Sequence, residues 1–333
     1  MQGIPMRALP TIAIAMGDPA GIGPELMVKV LADARLHTRC RAFIIGDLAV
    51  LREQAATLGS DLRFRPIKNL DAASFQPGCL DVLNPPGFAL GARLPAAVHP
   101  QLGAAAAHYL QLAYELAMQS RADGVVMAPM NKESFRAAGY DYADELAFLA
   151  DITGCPEPYI LGAVRDIWAV AVTEHVALRQ VADFITRPRV RDKIKALDSV
   201  LRRLGKRQPR IACAALNPHA GEGGLFGCEE IDAIAPAIAD AAELGIAVSG
   251  PVPADIVFKR ALGGEFDGVV CMYHDQMNIA RKLQARGDIA TLWMGLPVIG
   301  ATTAHGTAFD IAGRGIADPG SLRAALEYAI RLA

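Results

Sequence analysis

The stretch that decides the fold is Thr11–Glu25, which reads TIAIAMGDPAGIGPE. Its first five residues are apolar or β-branched throughout, which is typical of a strand buried on both faces. Three glycines follow within Gly17–Gly23, and they permit positive φ angles and close backbone approach. Pro24 then suits the first turn of a helix. The stretch matches neither the dinucleotide-binding fingerprint nor a P-loop, so by itself it predicts a strand, a tight turn and a helix.

The same alternation of apolar runs and helical stretches continues along the chain. Further buried strands are predicted at Ala42–Ile45, Gly124–Met127, Ile167–Val172, Ile211–Leu216 and Gly268–Met272. Helices are predicted at Pro24–Ala34, Gly103–Arg121, Ala143–Thr153, Arg189–Arg203 and Glu229–Leu244. Such alternation predicts a two-lobed α/β/α protein with a mostly parallel sheet covered by helices. We expect lobes at about 10–130 with 295–333, and at 131–294, with the Pro- and Gly-rich stretch Phe64–Pro100 as an excursion between them.

The composition excludes several classes of protein. Hydrophobic residues make up 52% of the 333 and charged residues 20%, which suits a large core rather than a disordered chain. Thirty-three Lys and Arg residues stand against 35 Asp and Glu without a basic stripe, so no nucleic-acid partner is predicted. No apolar run approaches the ~20 residues of a membrane span, and six widely spaced cysteines indicate reduced thiols. We therefore expect a soluble, cytoplasmic protein.

Three histidines stand just past the ends of three different predicted strands. His175 follows IWAVAV, His219 follows IACAAL and His274 follows GVVCM. Ligands of open α/β sheets bind outside the carboxyl ends of the strands, and neutral imidazoles are common ligands of zinc and similar ions. The spacing predicts a catalytic three-histidine site for a divalent metal, with zinc favoured and cobalt, manganese or nickel open. The alternative is that these are packed or surface histidines. Lys132, just past the GVVM strand, is either a solvated charge or an anion clamp.

Five motifs together resemble the 4-hydroxythreonine-4-phosphate dehydrogenase family, from about Ile12 to the end of the chain. They are GDPAGIGPE, APMNKE, NPHAGEGGLFG, YHDQ and HGTAFDIAGRG. This family belongs to the metal-dependent oxidative decarboxylases related to isopropylmalate dehydrogenase. The resemblance implies a homodimer that acts on a small molecule, with the active site in a cleft between the lobes at the dimer interface. It also implies that His175, His219 and His274 bind the metal, with ligands from both subunits.

The resemblance further implies an NAD or NADP cofactor and an oxidative decarboxylation. The cofactor would lie at a loop that contains Gly306, Thr307, Ala308, Asp310 and Gly313. Lys132 and Lys282 would face the substrate, and Asp255 would lie near the metal. The reaction oxidises a secondary alcohol β to a carboxylate and releases CO₂ while the metal stabilises the enolate. Lys132 or Asp255 would be the base that moves the proton.

Departures from the family motifs bear on the substrate. Glu145 and Leu146 stand where members contact the phosphorylated substrate with His and Thr, and Thr291 and Gly300 stand in place of Asn and Arg. Of that polar set Lys282 is retained. Because a bidentate Arg–phosphate contact is strong, its loss predicts a non-phosphorylated substrate, such as the 1,2-cis-dihydrodiol of terephthalate in aromatic degradation. The alternatives are 4-hydroxythreonine-4-phosphate dehydrogenation in pyridoxal phosphate synthesis, and a non-catalytic ligand-binding dimer stabilised by metal.

Overall fold

The computed structural model describes residues 9–333 except 89, 92, 93, 286 and 288. The strands are β1 (Thr11–Ala15), β2 (Arg41–Ile45), β3 (Arg63–Ile67), β4 (Cys79–Leu83), β5 (Gly124–Met127), β6 (Tyr159–Val164), β7 (Ile167–Ala171), β8 (Ile211–Ala214), β9 (Val248–Val252), β10 (Gly268–Cys271), β11 (Ile289–Met294) and β12 (Ile299–Thr303). The α-helices are α1 (Gly23–Leu31), α2 (Leu48–Thr57), α3 (Pro100–Met118), α4 (Lys132–Ala137), α5 (Glu145–Thr153), α6 (Val181–Phe184), α7 (Arg187–Arg203), α8 (Ala235–Glu243), α9 (Ala254–Leu262), α10 (His274–Gln284) and α11 (Gly320–Leu332). Among the helices described, none has both the length and the apolar character that a membrane span requires.

The chain folds into two compact units. The first comprises the residues up to Pro158 together with Ala290–Ala333, and the second comprises Tyr159–Ile289. From the sequence, the chain was expected to pass from one lobe to the other near residues 130 and 294. The first crossing comes later because α4 and α5 both pack against α3 and so belong to the first unit.

The first unit is built on the strand order β3-β4-β2-β1-β5-β12-β11. All neighbours from β3 to β12 are parallel, and β11 is antiparallel to β12. Every residue of β1 is buried, as expected of a central strand covered by helices on both faces. Pro24 lies in the first turn of α1, as predicted.

The second unit has the strand order β6-β7-β10-β8-β9. The pairs β7–β10, β10–β8 and β8–β9 are parallel, and β6 is antiparallel to β7. Helix α7 covers them with an apolar face at helical spacing, formed by Val190, Ile194, Leu197 and Leu201. The predicted α/β fold with a mostly parallel sheet is confirmed.

The stretch Phe64–Pro100 is not an excursion. It contributes most of β3 and all of β4. These two strands pair in parallel, and β4 also pairs in parallel with β2. β3 reads RFRPI, and only Phe64 and Ile67 of it are buried. Its proline is typical of an edge strand. The predicted helix from Glu229 begins with a π-helical segment at Glu230–Ile234 and continues as α8.

Candidate active site

Three loops of the first unit meet at one edge of its sheet. They follow β1, β5 and β12, which are neighbouring parallel strands whose carboxyl ends coincide. The backbone N–H of Asp18 donates to the carbonyl of Pro129 at 2.9 Å, and that of Ile22 donates to the carbonyl of Thr307 at 2.9 Å. The loop after β1 is therefore bonded both to the loop that leads into Lys132 and to the loop of the predicted cofactor residues.

The glycines of the first loop are explained by this close packing. Gly17 has φ +70°, and a Cβ there would lie 2.3 Å from the carbonyl oxygen of Ala128. A Cβ on Gly21 would lie 2.8 Å from Cβ of Thr307. Neither position has room for a side chain, so the two glycines serve the packing of the three loops.

Asp18 lies at the base of these loops and was not singled out from the sequence. Its side chain is fully buried, and its Oδ1 accepts from the backbone N–H of Ala20 at 3.0 Å. Burial raises the pKa of the Asp18 carboxyl above its usual value. The motif GDP contained the signal, since a carboxylate three residues past a buried strand lies at the functional edge of the sheet.

A pocket of about 160 Å³ opens in the first unit beside the loops after β1 and β12. Its lining residues are Pro19, Ala20, Gly21, Val50, Glu53, Gln54, Thr57, Leu94, Ala96, Ala312 and Gly313. Gly313 is one of the predicted cofactor residues. Helix α2 adds a carboxylate, an amide and a hydroxyl to otherwise small residues. Such a lining can accept hydrogen bonds from the hydroxyls of a ribose while its glycines admit close approach of a nucleotide.

The remaining predicted cofactor residues precede Gly313 in the same loop and do not line the pocket. Thr307 is buried, whereas Gly306 and Asp310 are exposed. Ala308 has a φ of +42°, a left-handed conformation that is uncommon for a residue with a side chain. The loop is thus tightly folded over Thr307 and exposes its remaining polar groups.

Two of the three predicted metal ligands lie together in the second unit. His175 follows β7 and His274 begins α10 after β10, and these strands are parallel neighbours. The two imidazole rings lie 5.7 Å apart, centre to centre. Nδ1 of His274 is 2.6 Å from Oδ1 of Asp275, and a carboxylate partner of this kind is usual for a histidine that binds a metal through its other ring nitrogen.

A pocket of about 420 Å³ contains this histidine pair. Its lining residues are Glu174, His175, Val176, Leu178, Val181, Tyr273, His274, Asp275 and Ile279. Leu178 and Ile279 are 72% and 59% exposed. The pocket therefore combines imidazole and carboxylate groups with an exposed apolar rim.

His219 does not join the pair. It follows β8, a parallel neighbour of β10, but its side chain is 70% exposed and its Nδ1 lies 3.5 Å from Oε2 of Glu222. Within the described part of the chain, no three His, Cys, Asp or Glu side chains are close enough to share an ion. The single chain thus brings together two of the three predicted ligands.

An unusual backbone accounts for the position of His219. Residues 219–223 all have φ between +44° and +78°, so the loop makes a left-handed turn. Glu230 anchors its start, since its carboxylate accepts from the backbone N–H groups of Leu216 and Asn217, both at 2.8 Å. The loop, residues 217–226, carries His219 outward together with Leu225 and Phe226, which are 72% and 48% exposed.

Comparison with known proteins identifies the family. The sequence profile described as pyridoxal phosphate biosynthetic protein PdxA matches residues 38–329. The chain belongs to the PdxA family. A relative from Pseudomonas aeruginosa, provisionally named 4-hydroxythreonine-4-phosphate dehydrogenase 2, is 41% identical over 98% of this chain and 97% of its own. A relative from Symbiobacterium thermophilum, provisionally named D-threonate 4-phosphate dehydrogenase, is 38% identical over 98% of each chain.

Solved structures of PdxA-like proteins have the same fold. A 4-hydroxythreonine-4-phosphate dehydrogenase from Klebsiella pneumoniae is 37% identical with a TM-score of 0.85, over 97% of this chain and 99% of that one. The terephthalate 1,2-cis-dihydrodiol dehydrogenase from Burkholderia xenovorans LB400 is 30% identical with a TM-score of 0.68, over 97% and 98%.

These similarities correct the predicted substrate. The phosphate-ester dehydrogenases resemble this PdxA-family chain more closely than the dihydrodiol dehydrogenase does, both in sequence and in fold. The prediction of a non-phosphorylated, terephthalate-type substrate was therefore wrong, and the alternative reading is the better supported. That prediction rested on four positions, Glu145, Leu146, Thr291 and Gly300, at which the family's substrate-binding side chains are missing. Missing contacts do not identify a substrate, because other groups of the same chain can bind the same phosphate.

Gly300 illustrates the weakness of that argument. It lies buried in β12, and a Cβ there would come within 2.1 Å of Oη of Tyr114 and 2.7 Å of Cε3 of Trp293. A side chain has no room at position 300 unless Tyr114 moves. Its assignment as a substrate residue stays a prediction.

The other predicted residues are placed as follows. In the first unit, Lys132 is exposed at the start of α4, Glu145 and Leu146 are half-buried in the first turn of α5, and Thr291 is half-buried in β11. In the second unit, Asp255 is exposed in the first turn of α9, and Lys282 is exposed in the last turn of α10.

Proposed function

We propose that this PdxA-family chain is a metal- and nicotinamide-dependent dehydrogenase of a phosphorylated four-carbon acid, either 4-hydroxythreonine 4-phosphate or D-threonate 4-phosphate. The full-length similarity to relatives named for these two compounds carries the proposal. Both compounds have a carboxylate, a hydroxyl on the carbon β to it, and a phosphate on C4. They differ at C2, where one has an amine and the other a hydroxyl.

The common groups define one reaction. The hydroxyl at C3 loses its proton, the hydrogen on C3 leaves as hydride, and a 3-oxo acid is formed. The bond between C1 and C2 then breaks to release CO₂, and a proton adds to C2. When bound, nicotinamide takes the hydride and a divalent cation supplies Lewis-acid stabilisation of the oxygen at C3.

The chain's own residues provide the proton transfers and the charge complementarity. Lys132 and Asp255 are the proposed proton carriers, since each is a titratable group in the first turn of a helix that follows a sheet strand. Lys282 is proposed to bind the phosphate as a point charge. Glu145 and Thr291 remain candidates for contacts to the C2 substituent, because both are polar and half-buried.

The metal site is proposed to consist of His175 and His274 of one subunit and a third imidazole, that of His219, from a second copy of the chain. The imidazole donors fit an ion of the zinc class. Within one subunit the first two rings are close and the third points into solvent. The exposed apolar groups beside His219 and around the histidine pocket suit such an exchange between copies, because each set is otherwise left in water. The proposed assembly is a homodimer.

The cofactor site is proposed to be the pocket beside the loops after β1 and β12, which Gly313 lines. The preceding residues of the same loop, Gly306, Thr307, Ala308 and Asp310, are proposed to contact the parts of the cofactor that extend beyond the pocket. The pocket is small, polar on one side and bordered by glycines, which fits the ribose and its neighbouring groups better than an apolar ligand.

Product analysis tests the proposal. The purified protein, loaded with a divalent metal, should reduce NAD or NADP with one of the two phosphorylated acids and release one CO₂ for each cofactor reduced. Cofactor reduction is followed by absorbance and CO₂ by a coupled assay. The absence of cofactor reduction with both acids and with every metal tried would refute the proposed function.

Subunit mixing tests the shared metal site. His175→Ala and His219→Ala proteins should each be inactive, and a mixture allowed to exchange subunits should recover part of the activity, because one of the two sites of a mixed dimer keeps all three imidazoles. A mixture of His175→Ala and His274→Ala is the matched control. It should recover none, since the proposal places both residues in the same half of every site. Recovery in the control alone would contradict the assignment.

A further inference from the structure

An ion pair on α1, between buried Glu25 and half-buried Lys29, holds the segment that follows the proposed cofactor loop. Glu25 is 1% exposed, and Nζ of Lys29 donates to its Oε1 at 2.7 Å. The Glu25 carboxylate also accepts from the backbone N–H groups of Gly315 at 3.1 Å and Ala317 at 2.8 Å. Nζ of Lys29 donates to the carbonyls of the same two residues, at 2.9 and 2.7 Å.

The segment held by this pair has no regular structure of its own. Residues 314–319 lie between the loop after β12 and α11 and belong to neither a strand nor a helix. Backbone groups outside regular structure must find other hydrogen-bond partners when they are buried. Here the two charged side chains bind four such groups, the N–H and the carbonyl of both Gly315 and Ala317. Burying a charged pair costs desolvation energy, so such a pair is weak evidence of added stability. What the pair does here is fix the geometry of this segment.

The turn that leads into α1 holds the other end of the loop. The backbone N–H of Ile22 donates to the carbonyl of Thr307, and Gly21 packs against the Thr307 side chain. The proposed cofactor residues from Ala308 to Gly313 thus lie between two fixed points, Thr307 and Gly315. Gly313 itself lines the pocket together with Gly21.

We infer that Glu25 and Lys29 are positioning residues for the nicotinamide cofactor. The inference rests on the proposed function, which places the cofactor at this loop. The pair fixes the 306–317 segment in the shape that binds the cofactor. Without the pair, the segment samples other conformations, and the cofactor binds only the fraction of molecules in which the segment has the binding-competent conformation. If that fraction falls to about a tenth, the apparent Kd for the cofactor rises about tenfold.

Calorimetric binding of NAD and NADP and hydrogen exchange of residues 306–317 test this inference without catalysis. Glu25→Gln with Lys29→Met should weaken binding of the preferred cofactor about tenfold and speed exchange in the segment, while metal content stays unchanged. Lys29→Met alone keeps the two amide bonds to Glu25 and should have a smaller effect of the same kind. Should the double variant fail to fold, the single variant carries the test. Lys29→Arg, which keeps the charge, should restore most of the affinity.

The matched control is the Asp198–Arg202 pair of α7, which has the same spacing and a 2.7 Å contact. Asp198→Asn with Arg202→Met should leave cofactor affinity within twofold of the wild type. Wild-type affinity in the Lys29→Met protein and in the double variant would overturn the inference and leave the pair a structural one. Failure of the wild-type protein to bind either cofactor would instead refute the proposed function.

Discussion

The packing around Gly300 yields a quantitative prediction. The site for a Cβ at this position is 2.1 Å from Oη of Tyr114, 2.7 Å from Cε3 of Trp293 and 3.3 Å from Cζ of Tyr114. Carbon contacts are optimal at about 3.5–4.0 Å, so Gly300→Ala forces the tyrosine ring to move inside a filled core. Such overpacking lowers the free energy of unfolding by about 1–3 kcal/mol.

Tyr114 itself determines whether that loss is recovered. Its side chain is fully buried, and Oη has no hydrogen-bond partner among the described residues. Tyr114→Phe removes an unpaired polar atom, whose burial costs about 1–3 kcal/mol, and should therefore leave stability unchanged or raised. In the double variant the shortest contact is gone, so part of the cost of Gly300→Ala should return, with a coupling energy of about 1 kcal/mol or more.

Urea unfolding followed by Trp fluorescence and circular dichroism measures this cycle. Gly306→Ala is the matched control, since nothing lies within 4 Å of a Cβ there, and its free energy of unfolding should stay close to that of the wild type. Equal stability of Gly300→Ala and wild type would refute the packing argument. So would a double variant no more stable than Gly300→Ala.

Three further predictions follow from other parts of the chain. Burial disfavours the Asp267 carboxylate, but hydrogen bonds from Arg210 and Lys206 outweigh this effect and lower the pKa of Asp267 to about 2 from 3.8. The ionised carboxylate therefore adds about 2 kcal/mol to the free energy of unfolding, which is present above pH ~5 and lost as the pH falls towards 2. Acid unfolding of Asp267→Asn should lack this component, and an acid-unfolding curve identical to that of the wild type would contradict the assignment. Gly17→Ala would place a Cβ on a residue with φ +70° and only 2.3 Å from the carbonyl oxygen of Ala128. It should lower the free energy of unfolding, measured by urea titration, by about 2 kcal/mol or more, and a loss near zero would contradict the loop packing. Removing the metal by chelation should abolish cofactor reduction, and added zinc or cobalt should restore it to the wild type but not to His274→Ala; full activity after chelation would refute metal dependence.

The sequence was sufficient where side-chain periodicity and strand order carry the information. The runs TIAIA, GVVM and GVVCM are short and apolar, and each is a buried strand near the middle of its unit. Parallel strands end at a common edge, so His175 and His274 could be predicted to meet. The structure brings their rings to 5.7 Å.

Features that depend on distant contacts were beyond the sequence. Glu25 and Gly315 are 290 residues apart, and their hydrogen bond exists because α1 and the segment before α11 pack together. The outward position of His219 follows from five successive left-handed residues, of which two are glycines, a backbone choice that residue type alone does not determine. β3 was missed because its charged and proline residues resemble a loop, although an edge strand tolerates them.

The central claim, a dehydrogenase of a phosphorylated four-carbon acid, is tested most directly by one ratio. This is kcat/KM for 4-hydroxythreonine 4-phosphate or D-threonate 4-phosphate, whichever is the better substrate, divided by kcat/KM for the same acid without its phosphate. We predict a ratio of at least about a hundred, because a charge-paired phosphate contributes roughly 3 kcal/mol or more to transition-state binding. A ratio near one, or faster turnover of the terephthalate dihydrodiol than of either phosphorylated acid, would contradict the account.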